Sequence, residues 1–103
     1  MSAIVIFAYP RSSASDFNLA YYTSSHMPMV ADKWARYGLR SWSAIEMTPG
    51  SPHVVQCVLH WTSVGAFEKA LEEDGKDILA DIKNYTDVEP AILKGNVKGQ
   101  WAA

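Results

Sequence analysis

Two runs of this chain are apolar at nearly every position rather than at alternate ones. Ala3 to Tyr9 reads Ala-Ile-Val-Ile-Phe-Ala-Tyr, and Val54 to Leu59 reads Val-Val-Gln-Cys-Val-Leu within a stretch from His53 to Trp61. Both are short, β-branched and bounded by prolines or polar turns, which predicts strands. A strand that is apolar on both faces belongs in the middle of a sheet covered on both sides. Two further runs are more polar. Leu39 to Met47 predicts a second strand, and Tyr85 to Val97, with Pro90 inside it, predicts a last one. Proline cannot donate to a ladder, so this last strand belongs at an edge.

Between the strands the spacing changes to that of helices. Ser15 or Asp16 is placed to cap a helix that carries Phe17, Tyr21 and Ser24 or Ser25 on one stripe, with Tyr22 and His26 alongside. Pro28 lacks the N–H that would bond to Ser24, and its ring disfavours α geometry at Met27, so a kink is expected there. A second helical piece runs from about 29 to 37, and Gly38 stops it. Thr48-Pro49-Gly50-Ser51-Pro52 is a turn. Thr62 or Ser63 opens the next helix, with Phe67, Ala70 and Leu71 on its inner stripe, and a short helical turn follows around 78–82. The order β-α-β-β-α-β is the α+β ferredoxin-like sandwich, an antiparallel four-stranded sheet with the first and third strands central.

The chain of 103 residues allows one domain over 1–103. Its net charge of −2, with the two signs interspersed, gives no basic surface for nucleic acid. There is no apolar run long enough to span a membrane, and Met1-Ser2-Ala3-Ile4-Val5 shows no signal-peptide pattern. One cysteine, Cys57, cannot form an internal disulfide and reads as a small buried hydrophobe. A cytoplasmic location is expected.

Two helices cover one face of such a sheet. In the first strand one face offers Ile4, Ile6 and Ala8 and the other Ala3, Val5, Phe7 and Tyr9. In the third, one offers Val55, Cys57, Leu59 and Trp61 and the other Val54, Gln56, Val58 and His60, and neither set can be left to water cheaply. Leaving several hundred Å² of an uncovered face in water would forgo on the order of 10 kcal/mol. A second copy, packed sheet against sheet, is the simplest cover, so a homodimer is expected.

Tyr22 and His26 are four residues apart and share a helix face. His26 titrates near neutral pH and is the candidate general acid or base, with Tyr22 orienting it or holding a substrate carbonyl. The competing reading is a helix-end histidine that satisfies carbonyls freed by Pro28. Tyr21 packs with Phe17. Trp34, Trp42 and Trp61 could wall a pocket or simply fill the core or an interface. His60 sits on a central strand and reads mainly as structural, and His53 as surface. The three histidines and Cys57 lack metal-ligand spacing, so no metal is expected. Arg11 and Arg40 could attract an anion or remain solvated.

Three segments resemble the EthD family of dimeric α/β-barrel proteins. Tyr21-Tyr22-Thr23-Ser24-Ser25-His26-Met27-Pro28-Met29-Val30 is similar to the family's Tyr-Tyr-x-x-x-His-x-Pro-Leu-Val. Trp61-Thr62-Ser63-Val64-Gly65-Ala66-Phe67 is similar to Phe-Asp-Ser-x-x-Ala-Phe. Asp81-Ile82-Lys83-Asn84-Tyr85-Thr86-Asp87-Val88-Glu89-Pro90 resembles Asp-Ile-Pro-Asn-Phe-Thr-Asp-x-x-Pro, with Lys83 replacing the usual proline. The resemblance implies a dimeric barrel with a pocket between helices and sheet in each subunit. Relatives in polyketide pathways act without cofactors as dehydratases, cyclases or decarboxylases, and others in the wider group are quinone-forming oxygenases or haem-degrading enzymes. The expected function is therefore a small cofactor-independent enzyme acting on an aromatic or polyketide-like molecule. His26 and Tyr22 are its expected catalytic pair, and Tyr21, Phe17, Trp61, His60 and Met29 its expected substrate contacts. The alternatives are a non-catalytic small-molecule-binding protein, or a haem or oxygen enzyme.

Overall fold

A computed structural model describes residues 2–12 and 16–103. Strand β1 (Ala3–Pro10) leads into a segmented helix made of α1 (Leu19–Tyr21), a π-helical turn (Tyr22–His26), α2 (Met27–Trp34) and a 3-10 turn (Ala35–Tyr37). The hairpin β2 (Leu39–Glu46) and β3 (His53–Trp61) follows, then α3 (Val64–Asp74), α4 (Lys76–Asp81), a 3-10 turn (Ile82–Asn84) and β4 (Ala91–Asn96). The described strands form one antiparallel sheet in the order β2-β3-β1-β4, so the two all-apolar runs are central as expected.

Two boundaries differ from expectation. The helix begins at Leu19, because the Asn18 side chain, rather than that of Asp16, accepts the Tyr21 N–H at 3.0 Å; Ser15 lies outside the described residues. Phe17 precedes the helix and forms an isolated bridge to Thr86. The last strand starts at Ala91 rather than Tyr85, and Pro90 lies just before it. Tyr85 and Thr86 are held out of the ladder by their N–H groups, both of which bond to the Ile82 carbonyl at 3.0 Å.

Met27 keeps α geometry (φ −67°, ψ −35°), so in place of the kink expected at Met27 the helix carries a π-helical turn just before Pro28. The chain inserts an extra residue, so the Met27 N–H reaches back five residues to the Tyr22 carbonyl. Thr23 and Ser24 hydroxyls bond to the Leu19 and Ala20 carbonyls at 3.0 and 2.6 Å, which supplies donors where the ladder loosens. At the far end Gly38 adopts φ 128°, and a side chain there would run into Thr62.

The helices cover one face only. Beneath them lie Ala3, Val5, Phe7 and Tyr9 of β1 and Val55, Cys57, Leu59 and Trp61 of β3, all buried. Trp34, Trp61 and Phe67 form a triangle of rings with centroids 5.5 to 5.8 Å apart at its heart. On the opposite face Ile4, Ile6, Val54, Val58 and His60 are half-buried, and Ile45 and Leu93 are 42% and 52% exposed. Residues 97–100 run over part of this face and enclose, with Ile4, Ile6 and Leu93, a groove of about 540 Å³.

Candidate functional site

The π-helical turn puts Tyr22 and His26 on the inside of the helix, both buried, with their rings stacked at 5.3 Å and 16°. The contact between them is ring to ring. The polar partner of His26 comes from the far half of the chain. Its Nδ1 lies 2.9 Å from Asp81 Oδ2 at the end of α4. The other carboxylate oxygen, Oδ1, accepts the Tyr21 hydroxyl at 2.7 Å and the Asn84 amide at 2.8 Å. On the opposite edge of the imidazole, Nε2 faces the Tyr85 hydroxyl at 3.5 Å. That hydroxyl is in turn 2.6 Å from the hydroxyl of Tyr9.

Burial lowers the His26 pKa, and the Asp81 carboxylate opposes this only in part. Burial also works to raise Asp81, but hydrogen bonds from Asn84, His26 and Tyr21 outweigh it and hold the carboxyl below its ordinary range. The pair is therefore a neutral imidazole beside an ionised carboxylate, and the proton on Nδ1 points at Asp81. Nε2 is left with its lone pair toward the interior. The phenols stay protonated: burial pushes Tyr9 up to about 12, and raises Tyr22 and Tyr85 further. Tyr21 is raised chiefly by its bond to Asp81.

Beside His26 lies a cavity of about 10 Å³ lined by Phe7, Tyr9, Tyr22, His26, Met27, Val30, Trp34, Leu59 and Ile78. It has room for about one water molecule. Larger concavities lie elsewhere, over the uncovered sheet face and along a groove of about 460 Å³ bounded by Leu79, Ile82, Val88 and Ile92. The chamber beside this helix is thus nearly filled, and Met27, whose sulfur sits 3.9 Å from Cys57 Sγ, is the most adaptable side chain in its wall.

The expected site residues separate into two groups. Tyr21, Tyr22, His26 and Phe17 come together, with the Phe17 ring 5.0 to 5.2 Å from those of Tyr9, Tyr22 and Tyr85. His60 does not join them, because alternation along β3 sends it to the uncovered face. Trp61 is buried against Trp34 and Phe67 instead, with its Nε1 unpartnered. Met29 is half-buried, and Met27 rather than Met29 lines the cavity. Arg11 is no anion trap, since its guanidinium bonds to the carbonyls of Thr48, Ser51 and His53 at 2.9 to 3.1 Å. Spacing gives Asp81, Asn84 and Tyr85 no role; the signal the sequence carries for them is their place in the third EthD-like segment. Tyr9 carried no signal beyond its strand. Among the described residues no cluster of histidine, cysteine and acidic groups could hold a metal, and no helix is long and apolar enough to cross a membrane.

This architecture, an antiparallel four-stranded sheet covered by helices on one face, is the dimeric α/β-barrel fold. No family model matches the sequence, and no curated protein matches it. Solved structures do. An EthD-like protein from Ralstonia eutropha is 28% identical, with 98% of this chain and 96% of that one covered at a TM-score of 0.86. An EthD-family protein from Bacillus halodurans is 18% identical over 95% of this chain and all of its own, at 0.63. SnoaB, a cofactor-independent oxygenase from Streptomyces nogalater, shares the fold at 14% identity, 94% and 95% coverage and a TM-score of 0.63. The chain is similar to EthD-family proteins and shares their fold.

Proposed function

We propose that this protein is a cofactor-independent enzyme that moves protons on an uncharged aromatic or polyketide-like small molecule, with His26 as general base and acid. The observation that carries this reading is the buried pair of His26 Nδ1 and Asp81 Oδ2 at 2.9 Å. A carboxylate that fixes the proton on Nδ1, together with burial that keeps the ring neutral, leaves Nε2 ready to accept a proton at neutral pH. The walls around it are aromatic and aliphatic, and none of the residues lining the cavity is a lysine or arginine, which favours a neutral ligand. Dehydration, cyclisation, isomerisation and decarboxylation all begin or end with such a transfer. SnoaB, described as a cofactor-independent oxygenase, supports the view that this fold can carry chemistry without a cofactor. Because the cavity holds about one water, a substrate enters by displacing side chains, Met27 first.

The test is deuterium uptake from D2O into a neutral carbon acid, 2-tetralone, followed by NMR. Replacing His26 with Ala is expected to lower the protein-dependent rate at least ~100-fold, the lower end of general acid–base effects. An unchanged rate removes His26 from the mechanism. A wild-type rate equal to that of buffer, with an unaltered ligand retained in native mass spectrometry, marks a binding protein instead.

The uncovered sheet face supports a second proposal, that the protein is a homodimer packed through Ile4, Ile6 and Val58. The single domain over 1–103 and the cytoplasmic location belong to the same reading.

A further inference from the structure

We propose that Tyr85, backed by Tyr9, is the group that holds the substrate's oxygen, and that the substrate is a carbon acid whose C–H lies next to a carbonyl. The proposal rests on His26 being the base, and adds what the base faces.

The geometry leaves one polar partner without a close bond. Tyr85 and His26 Nε2 are 3.5 Å apart, beyond the 2.7–3.2 Å of a well-formed bond. The Tyr9 hydroxyl at 2.6 Å engages the other side of the Tyr85 oxygen, so Tyr85 can direct its own proton toward the imidazole side while it accepts from Tyr9. A base and a donor that converge from two elements, and that do not satisfy each other, suit two neighbouring atoms of one functional group. The base needs a C–H, the donor needs an oxygen, and an enolisable ketone presents both within a bond or two. Neither group carries a charge, and none of the side chains lining the cavity that His26 and Tyr9 border, and that Tyr85 does not line, is cationic, so a carboxylate or phosphate would be desolvated without a partner.

The step balances within these residues. The substrate C–H breaks and its proton goes to His26 Nε2, which leaves an imidazolium beside Asp81. The electron pair forms the C=C of an enolate, and the carbonyl oxygen, now negative, accepts the Tyr85 O–H. Return of the proton from Nε2 to another carbon gives isomerisation, and return to a β-hydroxyl expels water. No oxidant or reductant is needed. The phenol is suited to this because burial keeps it protonated, so it donates without giving its proton away.

The experiment uses the full chain, with 2-tetralone for turnover and 2-naphthol, the stable aromatic counterpart of its enol, for binding. Tyr85→Phe keeps the ring that packs on His26, Tyr22 and Phe17 and removes only the hydroxyl. It is expected to lower deuterium uptake about 100-fold, as loss of one oxyanion donor does, and to weaken 2-naphthol about tenfold. Tyr9→Phe is expected to cost about tenfold in uptake, because it leaves Tyr85 in place without support. It serves as the second variant if Tyr85→Phe does not fold. Uptake and binding at wild-type level in the folded variants overturn the role of Tyr85 while leaving His26 standing if His26→Ala is impaired. A normal rate in His26→Ala instead overturns the proposed function. A wild-type protein that neither binds 2-naphthol nor speeds exchange overturns the carbon-acid assignment.

Discussion

Replacing Asp81 with Asn should invert the histidine it holds. In the native site two donors, the Tyr21 hydroxyl and the Asn84 amide, converge on Oδ1, and one, the imidazole Nδ1, is on Oδ2. An asparagine has a single oxygen. The two donors fix it at the Oδ1 position, so the new NH2 is turned toward Nδ1. The imidazole can meet an NH2 only by accepting, which moves its proton to Nε2, the atom that must be empty to act as a base. Restoring the productive tautomer would oppose two donors and give up a hydrogen bond to a charged group, a cost of about 1.5–3 kcal/mol. At 1.36 kcal/mol per decade this is a rate loss of roughly 10- to 150-fold with the backbone unchanged. Long-range 1H–15N NMR reads the tautomer directly, and deuterium uptake by 2-tetralone reads the rate. An Asp81→Asn variant that keeps its His26 proton on Nδ1, or that moves it to Nε2 with no fall in rate, contradicts this role for Asp81.

Two other outcomes follow from the same geometry. The folded state holds His26 below the ordinary histidine value of 6.5 and Asp81 below the ordinary 3.8, so both contribute stability that is complete above those values and lost as pH falls through the folded ones. Thermal melts from pH 8 to 4 should therefore show Tm falling below about pH 6.5, with a smaller fall in His26→Asn; a Tm that rises on acidification contradicts the sign. On the uncovered face, Ile6→Asp would place an unpaired carboxylate in the proposed interface, at a cost of several kcal/mol. Sedimentation at micromolar concentration should find the wild type dimeric and the variant monomeric, and a monomeric wild type removes the interface.

The sheet was legible because its code is local. Two strands apolar on both faces and two mixed ones set the order, and proline at position 90 set an edge, even though the strand begins one residue later. The His26 end of the site was legible for the same reason, since a tyrosine, a histidine and a proline at fixed spacing describe one turn of helix. Its other half was not. Asp81 and Tyr85 are 55 and 59 residues from His26, and no periodicity links side chains that meet only through tertiary packing. The misplacement of His60 has a different cause. Alternation along β3 tells which residues share a face, but not which face the helices choose.

The distance in sequence between His26 and its partners has a consequence for how activity could arise and fail. Neither half of the chain owns the proposed chemistry; its groups meet only along the seam where the π turn meets the end of α4 and the turn after it. A partly assembled chain that has formed its first hairpin and helix carries an imidazole with no carboxylate and no phenol opposite it. Parting the same seam is also the most direct way to enlarge a cavity that now admits about one water. Admission of a guest and loss of the working constellation are then two extents of one motion, and the closeness of the packing there sets how far it can go.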